Sequence, residues 1–186
     1  MEIIAELCQN HNGDFGILKD MVYSAKENGA TYAKLQNIYA EMLTFRERFE
    51  RGVVRNNIVR SIKRPYKPEY DRLKKLELSN ELQSDFIDLC NKVKIKPLTT
   101  VFTRDSIKEI INSGYKDIKI ASYDCASTSL IKDVRKHFSK IFISTGATFN
   151  EEIEITASLL EAQNFSLLHC VTIYPTPLEQ YNLRRM

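Results

Sequence analysis

At 186 residues, with 43% apolar and 27% charged side chains, the chain has the length and balance of one folded domain with a sizeable core. A formal net charge of +3 is too small to mark a polyanion-binding protein, and four scattered cysteines without a C-x-x-C pair exclude a zinc knuckle or dithiol redox motif. Glu2 leads straight into a strand pattern without a basic n-region, and the apolar runs fall short of the ~20 residues that span a bilayer. A cytoplasmic protein with reduced cysteines is expected, with neither nucleic acid nor membrane as partner.

Strand and helix patterns alternate from the first residue. An apolar run, IIAELC, ends in a polar turn holding Gln9, Asn10, His11 and Asn12. Asp14 then caps a helix whose Ile17, Leu18, Met21, Val22 and Ala25 follow helical spacing until Asn28 and Gly29. A second strand covers residues 32–36. Residues 37–78 break the rhythm: Pro65 and Pro68 interrupt them, and eleven Lys or Arg fall between Arg46 and Lys75. A connection of that length inside a domain is a lid or binding loop. Glu47, Glu50, Glu69 and Asp71 interleave with the basic residues, so a solvated helix face of mixed sign is expected rather than an anion-binding patch.

Ser79 opens a helix carrying Leu82, Phe86, Leu89 and Val93, followed by a third strand over residues 97–102. A helix from Asp105 to Gly114 leads to a fourth strand over 117–122. Leu130, Ile131 and Val134 mark the next helix, residues 141–145 a fifth strand, 150–162 a helix and 165–171 a sixth strand. Alternation of buried strands with amphipathic helices predicts a parallel α/β barrel of the (β/α)8 type, cut short after its sixth strand. Polar residues gather at the C-terminal strand ends, where such barrels place their sites.

Lys34 and Lys119 alternate with apolar neighbours inside buried strands, so two amines face the barrel mouth and call for an anion. A ligand phosphate or carboxylate would serve; structural ion pairs with Glu6 or Asp124 are the alternative. Thr99, Thr100, Ser122, Ser144 and Thr145 add hydroxyls suited to a phosphate. Glu6 and Asp124 are candidates for proton transfer or for holding a polar substrate's hydroxyls. His11 and His169 are weaker candidates: His169 follows Leu167 and Leu168 as a core residue would, and no H-x-x-x-H or H-x-H spacing marks a metal site.

The segments IIAELCQNHNGD, GATYAKLQ, YDRLKKLELS, KIASYD, ISTGATFNEEIE and LLHCVTIYPTPLEQYNL, in this order and spacing, resemble the sialic acid synthase family across essentially the whole chain. That family includes N-acetylneuraminate synthases and their legionaminic and pseudaminic acid counterparts. The resemblance implies a (β/α)8 barrel that condenses phosphoenolpyruvate with an open-chain N-acylated amino sugar, such as N-acetylmannosamine, and releases phosphate. It implies Mn or Mg to polarise the sugar aldehyde.

By the same resemblance, Glu6, Lys34 and Lys119 are catalytic. Lys34, Gln36, Thr100, Lys119, Ser122 and Ser144 bind phosphoenolpyruvate, and Asp124, Thr172 and Tyr174 bind the sugar. Thr172 stands where Asn is common. Tyr123 replaces a small residue, Ala147 replaces a common Met, and Val101 stands where a proline shapes the turn in the family. The family's metal ligands, its last two strands and its antifreeze-like domain lie beyond the point matched by Met186, so no metal ligand is assigned in this chain. A homo-oligomer or a complementing chain is therefore expected. Two rivals accompany this reading: a noncatalytic or partner-requiring fragment, and a Schiff-base pyruvate aldolase using Lys34 or Lys119.

Overall fold

The computed structural model describes residues 1–61, 63–173 and 175–186. Six strands, β1 (Ile4–Cys8), β2 (Tyr32–Leu35), β5 (Lys96–Val101), β6 (Asp117–Ile120), β7 (Lys140–Ser144) and β8 (Asn164–Leu168), form one sheet in that spatial order. Every neighbouring pair is parallel. Chain order and spatial order coincide, which is the winding of a parallel α/β barrel rather than of a doubly wound sheet with a reversal point.

The crossovers contain α1 (Phe15–Glu27), α4 (Asn80–Val93), α5 (Ser106–Asn112), α6 (Thr128–Val134) and α7 (Asn150–Leu160). The expected caps are present. The Asp14 carboxylate accepts from the N–H groups of Gly16 and Ile17, and the Ser79 hydroxyl accepts from Leu82 N–H. Each satisfies orphan donors of a helix first turn. Helix α1 packs on α4, and α4 on β5.

Strand alternation separates two cores. Leu7, Ala33, Leu35, Val101, Ile118, Ile120, Ile141 and Ile143 turn outward and pack with the helices through Leu18, Val22, Phe86 and Ile131. Tyr32, Leu98 and Phe142 form a second cluster on the other face, with Ile4 and Leu168 against it. Tyr32 and Phe142 meet edge-on at 5.2 Å.

The inner face is layered. Nearest the N-terminal strand ends lie charges: the Tyr32 hydroxyl bonds Asp117 at 2.9 Å, Lys96 reaches the same hydroxyl at 3.3 Å, and Lys140 pairs with Glu2. Next comes the aromatic plug. Two residues beyond Tyr32, Leu98 and Phe142 stand Lys34, Thr100 and Ser144, and Lys119 pairs in register with Thr100, toward the C-terminal end.

The connection between β2 and α4 is more ordered than its sequence suggests. It holds a 3₁₀ turn (Ala40–Met42), α2 (Glu47–Arg51), an antiparallel hairpin of β3 (Val53–Arg55) and β4 (Ile58–Ser61), and α3 (Tyr66–Leu76). Pro65 precedes the first turn of α3 and Pro68 lies within that turn, where missing N–H groups cost nothing. The expected mixed-sign surface is present: Lys67 pairs with Asp71, Arg64 and Arg72 with Glu69, and Lys74 with Glu41 and Glu77. A simple helix face is not, because the Asn56–Asn57 turn, both residues at positive φ, closes a hairpin instead.

Candidate active site at the C-terminal strand ends

Register builds the site. Glu6 stands beside Lys34 across β1 and β2, and Thr100 beside Lys119 across β5 and β6. Lys34 is fully buried; its Nζ donates to Glu6 Oε1 at 2.9 Å and to the Leu35 carbonyl at 3.3 Å. For Lys34 the ion-pair alternative therefore holds. For Lys119 it does not: among the described residues no carboxylate lies within salt-bridge distance of it. Burial pushes its amine below the ordinary lysine range and the charge of Lys34 pushes it further, while Glu6, Cys170 and Cys8 pull weakly the other way. Of the two amines only Lys34 is paired with a carboxylate among the described residues.

Ser144 and Thr100 are buried; register sets Thr100 beside Lys119, and Ser144 stands two residues beyond Phe142, the β7 partner of Lys119. Ser122 lies just past β6 in a 3₁₀ turn (Ser122–Asp124), where its Oγ accepts from Gly146 N–H at 3.1 Å. A Cβ on Gly146 would stand 2.8 Å from Thr172 Cγ2, 3.0 Å from Ser122 Oγ and 3.2 Å from Cys170 Cβ. The loops after β6, β7 and β8 therefore close on one another at a residue without a side chain. Sequence reading passed over Gly146; the signal was its place directly after the strand-end Ser144 and Thr145.

Asp124 is half-buried on the same turn as Ser122, and burial raises its carboxyl above the usual range against a bond from Ser127. The Cys8 thiol is pushed up to about 11 by burial and by Glu6, so it stays a neutral neighbour of the amines.

The other candidate residues have surroundings of their own. Thr99 turns to the helix side beside Ile118, and its Oγ1 is buried without a partner among the described residues. Thr145 Oγ1 donates to the Leu168 carbonyl at 3.1 Å and fastens β7 to β8. Gln36 borders a small cavity with His11, Asn37, Tyr39 and Gln83. His11 is buried, its Nδ1 accepting from Gly13 N–H at 3.0 Å, and burial lowers its pKa, so it serves the turn as a neutral acceptor. His169 Nε2 is 2.7 Å from the Tyr181 carbonyl, away from the lysines. Thr172 is exposed with its methyl over Gly146. Tyr174 lies outside the described residues.

Among the described residues no three His, Cys, Asp or Glu side chains converge as metal ligands. Glu6 is committed to Lys34 and Asp124 stands on a separate turn, so the donors present do not compose a divalent-metal site. No helix there is long and apolar enough to cross a membrane.

Parallel strands in sequential order, with charge and hydroxyls gathered at their C-terminal ends, define a fold of the α/β-barrel type with its candidate site at that end. Residues 21–186 match the NeuB family, and the chain belongs to it. It is 31% identical to the N,N'-diacetyllegionaminic acid synthase of Legionella pneumophila, over 99% of this chain and 52% of that protein. The pseudaminic acid synthase of Helicobacter pylori is 25% identical over 100% of this chain and 54% of its own length. The crystal structure of an N-acetylneuraminic acid synthetase from Leptospira borgpetersenii in complex with citrate superposes with a TM-score of 0.80 at 26% identity, covering 98% of this chain and 58% of that one. The chain spans about half the length of the curated relatives it matches.

Proposed function

We propose that this chain carries the phosphoenolpyruvate site of a nonulosonic acid synthase, which joins phosphoenolpyruvate to an N-acylated amino sugar. One observation carries the reading: Lys119 is half-buried, held below its ordinary pKa and unpaired, beside a second amine already matched to Glu6. A site left short of negative charge is built for an anionic substrate. Phosphoenolpyruvate supplies phosphate and carboxylate charges together, and Thr100, Ser122 and Ser144 supply neutral hydrogen bonds around them.

In the proposed reaction C3 of the enol attacks the sugar aldehyde carbon, water adds at C2, and the C–O bond to phosphate breaks. The electron pair of that bond leaves on phosphate, the hydroxyl left on C2 becomes the product carbonyl by losing its proton, and the former aldehyde oxygen takes up a proton to become a hydroxyl. Lys119, beside the Lys34–Glu6 pair, holds the substrate's anionic groups while negative charge shifts onto the departing phosphate. Glu6, fixed by Lys34, is placed to take the proton of the adding water. The divalent metal that the resemblance implies finds no complete ligand set among the described residues.

Calorimetry with phosphoenolpyruvate on the full chain tests this. Charge-assisted bonds contribute about 1.5–3 kcal/mol each, so Lys119→Met should weaken binding at least about tenfold. Equal binding by both proteins would remove Lys119 from the site. The lowered pKa of Lys119 also favours the aldolase reading, since a neutral amine is the Schiff-base nucleophile. Borohydride treatment with pyruvate separates the two: the synthase reading expects no covalent adduct, and an adduct at Lys119 would replace it.

A further inference from the structure

A small cavity lies where the excursion leaves β2 and returns to α4, beside the turn that follows β1. It measures about 10 Å³, room for one water molecule and too little for a substrate. Its polar walls come from His11 on the β1 turn, Gln36, Asn37 and Tyr39 directly after β2, Glu77 just past α3, and Gln83 on α4.

Four of these side chains are engaged with protein groups. Gln83, 2% exposed, accepts from Asn37 Nδ2 and donates to the Tyr39 hydroxyl at 2.6 Å and to the Leu78 carbonyl at 3.3 Å. Tyr39 donates to Glu109 at 2.8 Å, and Glu77 accepts from Ala40 N–H at 2.6 Å and from Lys74 at 2.9 Å. His11 and Gln36 differ. His11 is also 2% exposed, and burial lowers its pKa, so the ring is neutral. Its Nδ1 accepts from Gly13 N–H at 3.0 Å, which leaves the ring proton on Nε2. Among the described residues no protein acceptor meets that Nε2–H, and no protein group bonds the Gln36 side-chain amide. A buried N–H is rarely left unmatched, and a polar cavity of one-water size beside it supplies the acceptor.

We propose that this cavity is a water site, in which one ordered water accepts from His11 Nε2–H and donates to the Gln36 side-chain oxygen. His11 is thereby a positioning residue, acting through the water on Gln36, two residues beyond Lys34. The second hydrogen of the water has the Glu77 carboxylate in the same wall, which gives it three polar partners. A bridging water holds two groups nearly as well as a direct hydrogen bond, so the imidazole fixes Gln36 across the cavity. The turn carrying His11 is itself held against the excursion, since a Cβ on Gly13 would stand 2.6 Å from the Lys75 carbonyl. The contact of Gln36 with phosphoenolpyruvate rests on the synthase reading; the water site does not.

The test joins NMR on the full chain with isotope-labelled histidine to calorimetry with phosphoenolpyruvate. Long-range nitrogen–proton spectra should place the His11 proton on Nε2, and that proton should show cross-relaxation with a long-lived water. A ring protonated on Nδ1, or an Nε2–H with no long-lived water beside it, would overturn the water site. Gln36→Met, which leaves the β1 turn untouched, should shorten the lifetime of that water; an unchanged water would show that Gln36 is not its partner. His11→Asn keeps an oxygen able to accept from Gly13 N–H, as in an Asx turn, but loses the donor into the cavity. It should weaken phosphoenolpyruvate binding about fivefold. In a Gln36→Met background the same substitution should change affinity by less than about twofold, since no amide is left to position. Equal losses in both backgrounds, or undiminished binding by His11→Asn, would reduce His11 to a residue of the turn and overturn its positioning role. Absence of phosphoenolpyruvate binding by the parent chain would overturn the synthase reading and the positioning role together, while the NMR contact decides the water site by itself.

Discussion

Lys34 and Glu6 form a pair whose two members differ in exposure, and that difference decides what each contributes. The Lys34 side chain is fully buried, whereas that of Glu6 is 41% exposed. Removing the acid leaves a buried cation beside a second amine, and an uncompensated buried charge costs about 3–5 kcal/mol. Removing the amine leaves a carboxylate that water can reach. Glu6→Gln should therefore destabilise the fold by about 3 kcal/mol, and Lys34→Met by distinctly less, as urea unfolding would show. Equal losses would mean that Glu6 does little to neutralise Lys34.

Lys119 behaves in the opposite sense. Its folded-state pKa is lowered, so the unfolded chain binds the proton more readily, and folding pays a penalty that is complete below the folded pKa. Stability should rise as pH climbs from that value toward 10.5, where the unfolded lysine also loses its proton. Lys119→Met should stabilise the ligand-free chain at neutral pH and flatten this alkaline rise, while phosphate affinity in the parent chain should fall over the same interval. Denaturation midpoints and calorimetry across pH measure both. A lysine retained at a cost to the empty fold is a mark of function rather than of packing.

At the scale of elements, the strands and helices of the sheet were legible because period-2 and period-3.6 patterns, caps and Gly stops agreed with one another. Asp14 and Ser79 cap where expected, and each expected strand lies within a few residues of its position. The six strand-end motifs also carried the two lysines and their hydroxyls. What escaped was set by tertiary contacts. The elements of the α2–hairpin–α3 excursion are short, polar and interrupted by prolines, and they are held by ion pairs across residues 41–77 together with the buried Leu73. The inward or outward sense of Thr99 against Thr100 depends on register, which adjacent threonines do not reveal.

The turn after β1 shows the same coupling. Gly13 has a φ of +80°, and a Cβ there would stand 2.6 Å from the Lys75 carbonyl at the end of α3. The excursion thus returns against the site turn at a point where only glycine fits. Gly13→Ala should cost on the order of 2 kcal/mol through strain and contact together, read as a lowered urea midpoint. Gly29→Ala is a useful companion, since its φ is +81° but nothing lies within 4 Å. It should cost less, and the difference between them isolates the contact with α3.

The whole molecule is a sheet with two edges. Strands β2, β5, β6 and β7 are paired on both sides, while β1 and β8 are each paired on one side among the described residues. Unpaired ladder groups beside a polar inner face are a template for association, and a parallel barrel ordinarily removes them by closing on itself. We accordingly expect a second copy or a complementing chain to lie along β1 and β8. Light scattering combined with hydrogen exchange at several concentrations tests this. At low concentration, amides in β5, β6 and β7 should be strongly protected and those in β1 and β8 weakly. As the mass rises with concentration, protection should grow at β1 and β8 first, because association supplies the hydrogen bonds that the edges lack. A monomer of unchanging mass whose β1 and β8 amides are as protected as those of β6 would show that the edges are covered from within the chain. Should association occur instead through the exposed face of α7, the gain in protection would appear at Asn150–Leu160 and the edges would stay open.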